Sequence, residues 1–215
     1  MRLFYNLFLF SLLVISSLTT VAQESDRSFG RRIGIIGGYN FVGITKADQL
    51  NTSNTNGFLV GGFLAPGGRG SIGYRTEVLF SRQGYNYTSG ATDGKVQLDY
   101  LILPQFMNIR ITKFLNLQVG TQVNFLLSSK ANDSTKTTGV DGVVNKVNEY
   151  YNKYGISMAG GVEVYPFKGL IIGGRFTANI TPINASSFTG TIPDFIPSSE
   201  KLKNNLVQLY AGYRF

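Results

Sequence analysis

Side chains that usually carry chemistry are scarce in this chain. Its 215 residues include no His and no Cys. That removes Ser–His and Cys–His nucleophile pairs, imidazole proton transfer, and zinc sites built on either ligand. Ser–Lys or paired-carboxylate chemistry stays formally open, but no spacing in the sequence assembles it. Asp133, Asp141 and Glu149 do not follow the ligand spacing of a calcium loop. Pro66-Gly67-Gly68-Arg69-Gly70 lacks the Lys-Ser/Thr ending of a phosphate loop and leads into a strand pattern, so it reads as a turn. Asp93-Gly94 is a second turn signal. The expectation is a protein that is not an enzyme and uses neither cofactor nor metal.

One charged constellation stands out: Arg75, Glu77, Glu163, Arg175 and Arg214. Each falls on the polar face of a segment that alternates with period two, the signature of a strand with two unlike sides. In the clearest segment, Leu117, Val119, Thr121, Val123, Phe125 and Leu127 share one face, and Gln118, Gly120, Gln122, Asn124, Leu126 and Ser128 the other. Ile172, Phe176 and Ile180 alternate with Ile171, Arg175 and Asn179, and Val207, Leu209, Tyr213 and Phe215 alternate with Gln208, Tyr210 and Arg214. Ile72, Tyr74, Val78 and Phe80 face away from Arg75, Glu77, Ser81 and Gln83. Eight strands are predicted, over 33–45, 57–65, 71–87, 94–110, 114–128, 154–166, 169–181 and 204–215. Strand 94–110 is apolar on both faces, so its facing stays unassigned, and Pro104 within it predicts a bulge or kink.

The connections alternate in length. Long ones run over 46–56, 129–153 and 182–203. Short ones are 66–70, Thr112-Lys113 and Phe167-Lys168, and both chain ends fall on the short side. Outer-membrane barrels have an even strand number, short periplasmic turns and longer external loops. Val140 to Tyr151 has partial helical spacing within the longest loop and could equally prolong a strand; Ser198 to Lys203 could form one turn.

The first 22 residues read as a cleaved export signal. Arg2 supplies the positive start, Leu7 to Ile15 the apolar core, and Thr20-Val21-Ala22 the small residues before a mature start at Gln23. The expected organisation is therefore 1–22 signal peptide and 23–215 barrel. Charged residues make up 15% of the chain, against roughly 25% in soluble domains. Tyr and Phe are plentiful, at 12 and 16 residues. The net charge is +8, and much of the excess lies near strand ends, at Arg31, Arg32, Arg69, Arg110, Lys113, Lys168 and Arg214, where lipid head groups or plain solvent would meet it. Nucleic acid is not an expected partner.

Alternation alone describes a soluble barrel as well as a membrane one, with the faces reversed. The polar faces here mix glycine with Arg, Glu, Gln and Tyr, as a crowded lumen requires, whereas a solvent face would be richer in Lys and Asp. Tyr39, Tyr74, Tyr154 and Tyr213 suit an interfacial girdle, although cross-strand aromatic pairing would also use them. The reading is therefore a closed, antiparallel, up-and-down transmembrane β-barrel of about eight strands. Val119, Val123, Phe125, Phe176, Val207, Leu209, Tyr213 and Phe215 are its candidate lipid-facing residues. Arg75, Glu77, Glu163, Arg175 and Arg214 are its candidate lumen ion-pair residues, because an eight-stranded interior is filled by side chains and buried charges there must pair. The same five residues could instead line a narrow ion path.

Several stretches resemble the PorT-type outer-membrane β-barrel proteins of Bacteroidetes. They are Val21-Ala22-Gln23, the strand Ile33-Gly34-Ile35-Ile36-Gly37-Gly38-Tyr39, Tyr74-Arg75-Thr76-Glu77-Val78-Leu79-Phe80-Ser81-Arg82-Gln83-Gly84, and Leu98-Asp99-Tyr100-Leu101-Ile102-Leu103-Pro104 followed by Phe114 and the Gly120 strand. Ile102 departs from the glutamate common in that family. The terminal Phe215, with Tyr213 and Leu209, is similar to the aromatic end that barrel-assembly machinery recognises. The resemblance implies an eight-stranded outer-membrane barrel and no single activity. The expected location is the bacterial outer membrane, and the expected partners are its lipid and, during biogenesis, the assembly machinery. A structural or interaction role with external loops available for binding leads. A small pore or transport accessory, and a soluble periplasmic barrel holding an apolar ligand, are the alternatives.

Overall fold

A computed structural model describes residues 32–45, 51–53, 55–65, 71–89, 92–133, 150–185 and 202–215. Its strands are β1 (Arg32–Thr45), β2 (Asn51–Ser53), β3 (Thr55–Ala65), β4 (Ile72–Ser89), β5 (Thr92–Arg110), β6 (Leu115–Asp133), β7 (Tyr154–Val164), β8 (Leu170–Asn179) and β9 (Lys203–Arg214). Short β2 and β3 both pair with β4, so together they form one stave. The remaining ladders join neighbours in chain order, all antiparallel, and β9 returns to pair with β1. At the seam the Phe215 amide donates to the Ile33 carbonyl at 2.9 Å. The result is a closed eight-stave antiparallel barrel in which each stave pairs with both neighbours around the ring.

Period-two alternation sorts the side chains as expected. Val119, Val123, Phe125, Phe176, Val207, Leu209, Tyr213 and Phe215 are all exposed on the outer wall, as are Tyr39, Tyr74 and Tyr154. Inward positions are buried, and the buried apolar side chains fill the interior together with polar ones. On β4 the outward run Ile72 to Phe80 spans nine residues before Arg82 pairs with Asp99 through two bonds of 2.8 and 3.0 Å. Nine to eleven tilted residues are what a strand needs to cross the apolar layer. Exposed aromatics flank this band. Tyr74, Phe114, Phe167, Tyr213 and Phe215 lie near the short turns, and Phe41, Phe58, Phe125 and Tyr154 lie toward the long loops.

The structure settles the facing of β5 and changes three expectations. Val96, Leu98, Tyr100, Ile102 and Phe106 are all buried, so the even positions of β5 point inward. Its pairing with β4 has the same register on both sides of Pro104, and the pairs opposite Leu103 and Pro104 are missing. Proline has no N–H to donate, so the ladder is interrupted there without a bulge. The irregularity lies instead between Asp99 and Tyr100, which pair with Ser128 and Leu126, so Leu127 is the extra residue. It shifts the buried parity of β6 from Asn124 to Ser129 and carries the strand on to Asp133, five residues past the expected end. β2 also stands where a loop over 46–56 was expected.

The turn at 165–169 closes with the Leu170 amide donating to the Phe167 carbonyl, and Gly169 adopts φ +86°, a left-handed conformation that favours glycine. The signal segment 1–22, the turn 66–70 and residues 134–149 and 186–201 lie outside the described residues. Of the stretch expected to form a helix or prolong a strand, only Tyr150 and Tyr151 are described, and Tyr151 bridges to Asn184. No helix among the described residues is long and apolar enough to cross a membrane; strands make the crossing.

Candidate functional site

The charged residues singled out on β4, β7 and β8 meet inside the barrel. Arg75 and Glu77 lie two residues apart on β4 and so share the inward face. Glu163 on β7 and Arg175 on β8 reach them from the far wall, since β8 is four staves from β4 in a ring of eight. Glycines stand beside both: Glu163 pairs across the ladder with Gly173, and Arg175 with Gly161. A Cβ at Gly173 would come within 2.3 Å of the Tyr210 ring, so that glycine leaves the space the phenol occupies.

All four charges are at most 2% exposed. Arg175 Nη1 and Nη2 donate to the two oxygens of Glu77, each at 3.0 Å. Arg75 Nη1 donates to Glu163 Oε1 at 2.7 Å, and its Nε lies 2.8 Å from Glu77 Oε1. Two cations thus meet two anions, and the inner network is neutral. Polar neighbours complete it. Arg175 Nη2 donates to Gln118 Oε1 at 3.1 Å, and Tyr165 Oη to Glu163 Oε2 at 2.6 Å. Tyr210 Oη lies 2.9 Å from Glu163 Oε1 and 3.0 Å from Gln118 Oε1; its one hydrogen goes best to the carboxylate. The guanidinium of Arg75 lies 3.7 Å from the Phe63 ring centre, and that of Arg175 lies 4.1 Å from Phe106. Flat aromatic faces against guanidinium planes add attraction and hold each cation in place.

Arg214 departs from the expectation. It is on the inner face but forms no ion pair with a described residue; its guanidinium sits 5.2 Å from the Tyr165 ring centre, at the short-turn end. β9 ends there, and the Arg214 side chain lies on the short-turn side of Tyr165, which caps Glu163. Phe63, Phe106 and Tyr165 were not singled out from the sequence. Period two puts Phe63 and Tyr165 on inward faces and leaves Phe106 unassigned, and only the closed ring stacks all three on charges from other strands.

Above the ion pairs the lumen is amide-lined. Gln208 donates to Asn40, Asn40 and Gln83 to Ser81, and Asn204 to Gln83. At the long-loop end, described residues of two loops fold together. Asn152 Nδ2 donates to the carbonyls of Pro182 and Asn184, and the Leu202 amide to Asn184 Oδ1. Tyr151 Oη and Tyr85 Oη are 2.8 Å apart, and burial pushes the Tyr151 phenol well above its usual range, keeping it neutral.

The comparison with known protein families agrees with this architecture. The model of a family described as an outer membrane protein beta-barrel domain matches residues 21–184. No curated protein matches the sequence. Among solved structures, the chain is similar to Neisserial surface protein A, at 11% identity and a TM-score of 0.49, covering 86% of this chain and 99% of that one. It is also similar to the attachment invasion locus protein Ail of Yersinia pestis, at 15% identity and a TM-score of 0.46, covering 86% and 99%. OprG from Pseudomonas aeruginosa follows, at 11% identity, a TM-score of 0.43, and 86% and 95% coverage.

Proposed function

Because the chain belongs to the family of outer-membrane proteins built on this β-barrel domain, we propose that it serves there as a closed, non-conducting scaffold whose external loops are its working surface. The barrel is integral to the bacterial outer membrane, and its apolar outer wall meets acyl chains. The observation that carries the reading is the neutral four-charge group of Arg75, Glu77, Glu163 and Arg175, which joins opposite walls across the lumen. An ion crossing this level must break charge-assisted bonds between fully desolvated partners, each costly to leave unpaired. The tyrosine and loop contacts at the far end support a second closure.

A non-catalytic role fits a chain without His or Cys. The loops at 129–153 and 182–203 are proposed as the surface that meets a partner. The order of motifs from Ile33 to Gly120 supports placing the chain in the PorT-type branch of Bacteroidetes barrels. We further propose the division into a signal peptide over 1–22 and a barrel domain over 23–215; sequencing the exported protein from its N-terminus should read Gln23 first.

Planar-bilayer recording tests the closed-lumen reading. The wild-type barrel should pass no steady current, while a variant carrying both Arg75→Ala and Glu163→Ala should show discrete steps. Steady wild-type current would favour the pore reading instead.

A further inference from the structure

The short-turn end of the barrel gathers three arginines around one space. Arg32 on β1, Arg110 on β5 and Arg214 on β9 occupy even positions, the inward parity that buries Asn40, Phe106 and Gln208 on the same strands. With Asn108, Tyr165 and Arg75 they line a cavity of about 60 Å³. Its walls come from the short-turn ends of all eight staves, so it is the mouth of the lumen and not a side pocket. No Asp or Glu side chain among the described residues lines it.

Charge accounting points to an anion. The two inner carboxylates are matched by Arg75 and Arg175, and Tyr165 caps Glu163 on the side nearer the mouth. Arg32, Arg110 and Arg214 form no ion pair with a described residue. Three like charges around one partly desolvated space repel one another, and an anion placed between them reverses that term. The floor supplies an independent sign. Among the described residues, buried Arg75 Nη2 has no hydrogen-bond partner, while Nη1 is held by Glu163 and the plane is packed on Phe63. A donor fixed in this way is satisfied by an acceptor that comes to it. Guanidinium groups match phosphate oxygens in shape and charge, and the volume accommodates a few waters or one tetrahedral oxyanion.

We propose that this mouth is a phosphate-binding site: Arg32, Arg110 and Arg214 surround the anion, and Arg75 Nη2 donates to it from below. Short turns of such barrels face the periplasm. The phosphate group is therefore either free in that compartment or carried by a phospholipid of the adjoining leaflet.

The full-length barrel in dodecyl maltoside, a phosphate-free detergent, is titrated with inorganic phosphate and, separately, with dioleoylphosphatidylglycerol. Bound molecules are counted by native mass spectrometry, with dioleoylglycerol as the phosphate-free lipid control. One phosphate-bearing molecule should bind, and Arg32→Gln with Arg214→Gln should weaken it by about tenfold or more while the barrel keeps its unheated gel mobility. Should that pair misfold, Arg110→Gln, at an exposed position, carries the same test. Lys113→Gln and Lys168→Gln, in turns outside the cavity, should leave binding unchanged. Much tighter binding of the lipid assigns a head group, and similar binding of both assigns the phosphate group alone. Binding of neither probe, binding that survives the arginine substitutions, or equal loss in the turn-lysine variants would overturn the proposal.

Discussion

Glu77 accepts from Arg175 through both oxygens and lies 2.8 Å from Arg75 Nε, so it is the shared anion of two buried cations. Glu77→Gln leaves two guanidinium groups with one carboxylate. The expected loss is roughly 3–5 kcal/mol of folding stability, read from urea unfolding in micelles. Arg75→Met combined with Glu163→Leu removes a cation and an anion together, so its cost should fall below the sum of the two single substitutions. A sum equal to the double variant's loss would mean that the pair does not act as a unit. At this scale the sequence was legible in kind. Parity put Arg75, Glu77, Glu163 and Arg175 on inward faces, and the need to pair followed from burial. Parity says nothing about position along the axis, so it could not separate Arg214, at the mouth, from the mid-lumen group.

Strand identity comes through most clearly where the two faces differ. β6, β8 and β9 alternate without ambiguity over their apolar bands, and their facing follows directly. β5 does not, because apolar residues serve both its lumen face near the tyrosine-rich end and its outer face. Its facing is settled only by β4 and β6 on either side. On β6, Val123 is exposed between Leu103 and Ile156, in the middle of the outer band. Val123→Arg should therefore cost about 2–4 kcal/mol of insertion, measured by refolding into vesicles, whereas Val123→Leu should be neutral. The turn at 165–169 carries its own prediction. Gly169→Ala places a β-carbon on a residue with φ +86° and 2.7 Å from the Tyr213 ring, so it should lower stability by about 1 kcal/mol in the same assay. A change near zero would show that the turn relaxes to another conformation.

For the molecule as a whole, closure is the governing fact. Phe215 is bonded to Ile33 and every stave pairs with both neighbours, so the barrel should resist cold SDS and run faster on a gel unheated than boiled. Equal mobility before and after boiling would argue against a closed barrel. Glu77→Gln should lower the temperature at which that mobility changes, because the inner network braces opposite staves. Polarity is layered along the axis: a basic mouth, a neutral ion group, an amide belt and a tyrosine-rich cap, all inside one apolar wall.

Local alternation, turn chemistry and composition are properties of neighbouring residues, so the sequence by itself determined the eight staves, the inner and outer faces of most strands and the expectation of a membrane around them. It also determined that any charge on an inner face would need a partner. Which charges meet, which rings stack on them, and that three arginines from β1, β5 and β9 converge on one cavity were decided only by tertiary structure. Many of those contacts join residues far apart in the chain, 88 positions for Arg75 and Glu163, and their heights depend on the tilt and stagger of a closed sheet. No periodicity within a single strand encodes that stagger.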